Sequence, residues 1–211
     1  MAINLTKGQT IDLRKDANDL DQITIGLGWK IREKKQGLLS GLFGKKDDAE
    51  FDLDAIAFVM DEQGKVRNLG NDKLAGSDVV FFNNPKHPSG LVYHTGDNLV
   101  GGSGDQDDEQ IIVKLNALPQ QYARILFLVA IYQGNQKKQH FGQVNNAYIR
   151  AVDGKGKEIL RYPLNREPAF DGKSSMVFAE VYRRDGGWKF RAIGDAHPED
   201  SFIPLLKQYV G

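Results

Sequence analysis

Met176-Val177-Phe178-Ala179-Glu180-Val181-Tyr182-Arg183 is followed, across Arg184-Asp185-Gly186-Gly187, by Trp188-Lys189-Phe190-Arg191-Ala192-Ile193. Both runs are short and rich in β-branched and aromatic residues, and the second alternates Trp, Phe and Ala with Lys, Arg and Ile. That is the pattern of strands with two distinct faces. The Asp-Gly-Gly turn supplies the positive φ that a tight reversal needs, so the pair reads as an antiparallel hairpin.

The same grammar extends over the rest of the chain. Strand-like runs recur at Gln9–Leu13, Gln22–Leu27, Phe51–Met60, Asp78–Phe82, Leu91–Tyr93, Gln110–Leu115, Arg124–Tyr132, Ala147–Val152 and Glu158–Tyr162. Further hairpin signals stand at Asp61-Glu62-Gln63-Gly64 and Asp153-Gly154-Lys155-Gly156. So many short strands, without helical periods between them, predict an all-β chain folded as a two-sheet β-sandwich, because each sheet must bury its apolar face against the other. Helix is expected only as a turn after Pro119 and near the C-terminus at Ser201–Tyr209, with Ser201 as cap and Pro204 in the first turn. Trp29, Tyr148, Tyr182, Trp188 and Phe190 are expected in the core.

Composition narrows the function. The 211 residues include 28 basic and 28 acidic side chains and no cysteine. One domain spanning residues 1–211 is expected, large enough to fold without disulfides or a structural zinc. Balanced charge argues against nucleic-acid binding by the whole protein, and the missing thiols exclude cysteine catalysis and cysteine-ligated metals. Met1–Gln9 has no apolar signal core, and the longest apolar run, Ile125–Tyr132, is too short to span a bilayer. A cytoplasmic location is the expectation.

Lys30–Glu50 interrupts the strand pattern. Its basic residues, Lys34 and Lys35 among them, flank Leu38, Leu39, Leu42 and Phe43. The segment reads either as a surface loop or as an element that docks on a partner or associates peripherally with an anionic membrane.

The strongest chemical signal is acidic. No lysine or arginine occurs between Lys86 and Lys114, yet this stretch holds Asp97, Asn98, Asp105, Asp107, Asp108 and Glu109. Carboxylates crowded this closely repel unless a cation sits among them. Oxygen donors with Gly101, Gly102 and Gly104 for a curling backbone suit calcium better than magnesium or zinc. Gln110 stands where an EF-hand has its glycine, so the expected site is a sandwich loop, with Asp52 and Asp54 of the Phe51–Met60 strand as co-ligands. Other motifs fail on spacing or context: Gly26-Leu27-Gly28 lacks a third glycine and a helix, Gly41–Lys46 is no P-loop, and Ser103 sits in no nucleophile elbow. His87, His94, His140 and His197 show no metal-binding spacing.

Several stretches together, in order, are similar to one family. They are Gly26-Leu27-Gly28-Trp29, Phe51-Asp52-Leu53-Asp54-Ala55, His94-Thr95-Gly96-Asp97-Asn98, Asp107-Asp108-Glu109, Phe141-Gly142-Gln143-Val144, Asn146-Ala147-Tyr148-Ile149-Arg150, Glu180-Val181-Tyr182-Arg183 and Trp188–Gly194. The chain resembles the TerD family of tellurium-resistance and general stress proteins. The resemblance implies a β-sandwich binding one or two calcium ions through its acidic loops, among other stress and tellurite-resistance proteins as partners; membership establishes no enzymatic activity, and a non-enzymatic binding or scaffold role is the expectation. Two rivals stay open from the residues: a metal-dependent hydrolase using the acidic cluster to activate water, and a calcium-dependent, lectin-like sandwich.

Overall fold

The computed structural model describes residues 2–14, 18–31, 51–96, 107–164 and 168–211. The strands there are β1 (Ile3–Asn4), β2 (Thr10–Asp12), β3 (Ile23–Ile31), β4 (Leu53–Met60), β5 (Val79–Val80), β6 (Val92–His94), β7 (Glu109–Val113), β8 (Arg124–Ile131), β9 (Val144–Val152), β10 (Glu158–Leu164), β11 (Ser175–Arg184) and β12 (Gly187–His197). They form two six-stranded sheets, β1-β10-β9-β3-β7-β6 and β2-β12-β11-β8-β4-β5. The expected β-sandwich is the fold.

The two inner faces share one core. Ile23, Ile25, Leu27 and Trp29 of β3 meet Leu53, Ala55, Ala57 and Val59 of β4 and Ile125, Phe127, Val129 and Ile131 of β8. In each strand these residues are two apart, as the pleat requires. Strand β8 is nevertheless apolar at every position after Arg124, from Ile125 to Ile131, because its outer face is covered too. Leu126, Leu128 and Ala130 join Ile56, Phe58 and Met60 in a second cluster beneath Leu205 and Leu206, which lie on the C-terminal helix α2 (Ile203–Tyr209). Phe58 packs against Phe202 and Tyr209, with ring centroids 6.2 and 5.9 Å apart.

Every expected strand is present, and the hairpins at Asp153–Gly156 and Asp185–Gly187 join β9 to β10 and β11 to β12. Three local readings change. The Asp61–Gly64 turn closes, with Asp61 N–H bonded to the Lys65 carbonyl, but β4 goes on to pair with β5 and β8. Pro119 opens a single hydrogen-bonded turn to Tyr122, not a helix. Helix α2 starts at Ile203 with Pro204 in its first turn, so Phe202 takes the cap position while Ser201 Oγ accepts the Ile203 N–H at 3.3 Å. Two further elements, the short helix α1 (Gly134–Lys137) and the strand β1, have too few residues to show a period.

The outermost correction concerns two tyrosines. Trp29, Trp188 and Phe190 are core residues, but Tyr148 and Tyr182 are half-buried on outer faces. There the Arg161 guanidinium lies 4.1 Å from the Tyr148 ring centroid and the Arg124 guanidinium 5.5 Å from that of Tyr182.

Candidate functional site

The acidic stretch enters the described structure at Asp107, just ahead of β7. The three carboxylates that follow one another there go three different ways. Asp107 turns to the outer face of its sheet, Asp108 to the end of β3, and Glu109 into the gap between the sheets.

Asp107 meets Arg150 of β9. The guanidinium donates from Nε to Asp107 Oδ1 at 2.7 Å and from Nη2 to Oδ2 at 3.1 Å. Gln110 Nε2 adds a bond at 3.1 Å and the Tyr148 hydroxyl another at 3.3 Å. The chain of charges continues outward, from Arg150 to Glu158 at 2.9 Å and from Glu158 to Arg161 at 2.9 Å. Burial alone would lower the Arg150 pKa, but its hydrogen bonds to Asp107 and Glu158 outweigh that and raise it. The bond from Arg161, aided by Arg150, holds the Glu158 carboxyl below its usual range against the opposing effect of burial. Burial raises the Tyr148 hydroxyl, and the neighbouring Asp107 charge pushes the same way.

Two glycines make this packing possible. Gly26 of β3 is registered between Gln110 and Arg150, and Gly28 faces Tyr148. A Cβ on Gly26 would lie 2.1 Å from Asp107 Oδ2, and one on Gly28 would lie 2.4 Å from the Tyr148 ring. The Gly26-Leu27-Gly28 motif is thus a slot that admits a carboxylate and a phenol onto the sheet, while Leu27 points into the core.

Asp108 is buried, and its Oδ2 accepts the Trp29 N–H at 3.0 Å while its own N–H donates to the Leu27 carbonyl at 2.8 Å. Glu109 crosses between sheets: its Oε2 accepts the Ala55 N–H of β4 at 2.5 Å. The reason lies at the sheet edge. Strand β5 pairs only with Ala57 and Phe58, so β4 runs beyond it and the Ala55 N–H takes a side-chain acceptor where a neighbouring strand would otherwise provide one. His94 of β6 completes the arrangement. Its Nδ1 accepts the Gly96 N–H at 3.1 Å, which leaves the ring proton on Nε2, 3.3 Å from Glu109 Oε2. Both side chains are about 1% exposed. Through Ala55, Glu109 fastens the start of β7 to β4, whose half-buried Asp54 alternates to the opposite face from the inward Leu53 and Ala55.

Sequence comparison adds the relationship. A model of the TerD domain matches residues 1–209. The chain belongs to the TerD family. Tellurium resistance protein TerX of Serratia marcescens is 50% identical over 215 residues, covering 100% of both chains. Stress response protein SCP2 of Bacillus subtilis (strain 168) is 37% identical over 211 residues, again with 100% of each chain covered. The crystal structure of a homologue of telluride resistance protein (TerD) from Streptomyces coelicolor A3(2) has the same fold, with a TM-score of 0.59, 21% identity, and 87% of this chain and 94% of that one covered. The names borne by the relatives are those of resistance and stress proteins, which fits a protein that is not an enzyme.

In this TerD-family chain the expected metal ligands separate into groups. Asp97, Asn98 and Asp105 lie outside the described residues, as do Lys34, Lys35, Leu38, Leu39, Leu42 and Phe43 of the excursion. Among the described residues no three His, Asp or Glu side chains gather as a metal site. Of the remaining candidates, Asp107 has both oxygens on the Arg150 fork. Asp52, Asp54, Asp108 and Glu109 carry the hard oxygen donors that calcium takes, and main-chain N–H groups orient Asp108 and Glu109, as outer-shell partners orient metal-binding carboxylates. The chemistry of these donors is of the kind calcium takes, but among the described residues they do not gather at one point. Sequence reading missed Arg150 as the partner of Asp107, and His94 as the partner of Glu109. Arg150 lies 43 residues from Asp107 along the chain, a distance no local pattern spans. No described helix is long and apolar enough to cross a membrane.

Proposed function

We propose that this TerD-family chain is a calcium-binding stress-response protein, acting as a binding or scaffold component, without catalysis, among other tellurite-resistance proteins. The observation that supports the reading is the position of Glu109. A carboxylate buried between the sheets, held on the Ala55 N–H, ties the acidic start of β7 to the strand that carries Asp54 and directly follows Asp52. Asp52, Asp54, Asp108 and Glu109 would contribute oxygen ligands, together with Asp97, Asn98 and Asp105 of the preceding loop. The cation would neutralise the acidic loop and order it as a surface for a partner to read. Recruitment to partners or to the inner face of a membrane is assigned to the excursion that ends at Glu50; it begins after Ile31, since Lys30 and Ile31 pair with β9 as the end of β3.

Calorimetric titration of chelator-treated protein with calcium tests the reading. A ligand that binds only the folded state raises stability by about 2.7 kcal/mol at a hundredfold excess over Kd, so a heat of binding should come with a rise in Tm. Overlapping melts in calcium and in chelator would refute calcium binding, and equal stabilisation by magnesium would refute selectivity.

A further inference from the structure

The β11–β12 hairpin holds a second polar site, made from other residues. A groove of about 270 Å³ is lined by Gln120, Arg183, Arg184, Asp185, Gly186 and Gly187. Arg183 is its fixed wall. The guanidinium lies 4.3 Å from the Trp188 ring centroid, donates from Nε to the Tyr122 carbonyl at 3.3 Å, and donates from Nη2 to the Leu118 carbonyl. These acceptors are neutral, so the charge is positioned without being cancelled. Burial lowers the Arg183 pKa, as expected of a cation that has lost water and gained no carboxylate.

Three more cations surround this hairpin. Arg14 reaches it through a 2.9 Å bond from Nη1 to the Asp185 carbonyl, Lys189 lies 3.1 Å from the Asp185 carboxylate, and Arg184 lies 4.0 Å from it. Asp12, 2.7 Å from Arg14, is the other carboxylate. Among the described residues, four cations therefore face two carboxylates at one turn, in a chain whose formal net charge is +0. The groove's own lining sets Arg183 and Arg184 against Asp185, and with Arg14, Lys189 and Asp12 beside it the turn has an excess of two positive charges, which suits a compact anion that planar guanidinium groups recognise through N–H donors. The volume lies just below the usual range of small-molecule pockets, which favours a small occupant.

We propose that the β11–β12 groove binds a small oxyanion of the phosphate class, with Arg183 and Arg184 as its principal contacts. The recognised chemistry is the same for the free ion and for a phosphate on a short ester.

The test is an NMR titration of chelator-treated protein with inorganic phosphate against chloride at fixed ionic strength, with a parallel arm using glycerol phosphate. Chelator keeps the outcome independent of calcium. Saturable shifts centred on the Gly186 and Gly187 amides and the Arg183 Nε–H are expected, with Kd of about 1 mM or tighter; the tighter of the two arms identifies the free or esterified form. Arg184→Gln should weaken binding about threefold, and Arg183→Lys, which keeps the charge and loses the fork, about tenfold. If Arg183→Lys does not fold, the exposed Arg184→Gln variant decides alone. Shifts that never saturate, shifts scattered over the basic residues of the whole surface, or unchanged affinity in Arg184→Gln would overturn the proposal.

Discussion

Arg150 grips both oxygens of Asp107, at 2.7 and 3.1 Å, with the carboxylate about 1% exposed and the guanidinium 21%. In the sequence, Asp107 stands in a run of like charges with no cation nearby. In the fold it is the inner end of a chain of alternating charges. Neutralising it therefore removes an attraction, where a crowd of carboxylates would have gained from the loss. Asp107→Asn and Arg150→Met should each destabilise the calcium-free protein, the second by about 3 kcal/mol because it strands a buried charge. The double variant should cost clearly less than the two singles together. Urea denaturation of the four proteins measures this, and additive losses would show that the pair is not coupled.

Gly26 and Gly28 should tolerate no side chain while their neighbours remain. A methyl at Gly28 would lie 2.4 Å from the Tyr148 ring, and the ring is held from above by Arg161. Gly28→Ala is expected to lower stability by about 1–3 kcal/mol, the usual cost of overpacking. Tyr148→Ala in the same chain should return part of that loss by opening the slot. A Gly28→Ala protein as stable as its parent would show that Tyr148 moves aside freely.

How much of this was legible beforehand follows from the range over which each signal acts. Strand alternation and glycine turns are local, so the strands from β2 to β12 and the sandwich they imply could be read directly. The doubly apolar β8 and the acidic residues at 107–109 were visible for the same reason. What could not be read was partnership across the sheet. Tyr148 alternates like a core residue, yet it stacks under Arg161 because β9 and β10 are register neighbours on an uncovered face. Glu109 also sits at an inward strand position, where a carboxylate is improbable until one sees that short β5 leaves the Ala55 N–H in need of an acceptor.

Glu158 makes a pH prediction. Its folded pKa lies below its usual 4.5, chiefly through the bond from Arg161 and also through that from Arg150. A lowered carboxyl pKa means that the unfolded chain binds the proton more readily. The contribution is thus present in full above about 4.5 and is lost as pH falls through the folded value. Glu158→Gln should therefore be less stable than the parent at pH 7, and the gap should close progressively below pH 4.5. Denaturation curves between pH 3 and 7 check this, and a gap that stays constant across the range would remove Glu158 from the acid response.

Glu109 allows structure and cation binding to be separated. Its Oε2 has two tasks that need only an acceptor, the Ala55 N–H at 2.5 Å and the His94 Nε2 at 3.3 Å. A glutamine retains an oxygen of the same reach and removes the charge. Glu109→Gln should then keep the calcium-free fold within about 1 kcal/mol of the parent, consistent with one neutral acceptor replacing a charged one. Under the proposed function it should lose most of the calcium-dependent rise in Tm, since a carboxylate ligand has been withdrawn. Glu109→Ala should behave differently. It leaves a buried main-chain N–H and a buried imidazole N–H without their acceptor, at about 1–3 kcal/mol for each group stranded, and it should destabilise the protein with or without calcium. Melting curves of the two variants in calcium and in chelator separate the cases. If Glu109→Gln keeps the full calcium response, Glu109 is a fastening between the sheets and not a ligand; if it falls as far as Glu109→Ala in chelator, the charge itself holds β7 to β4.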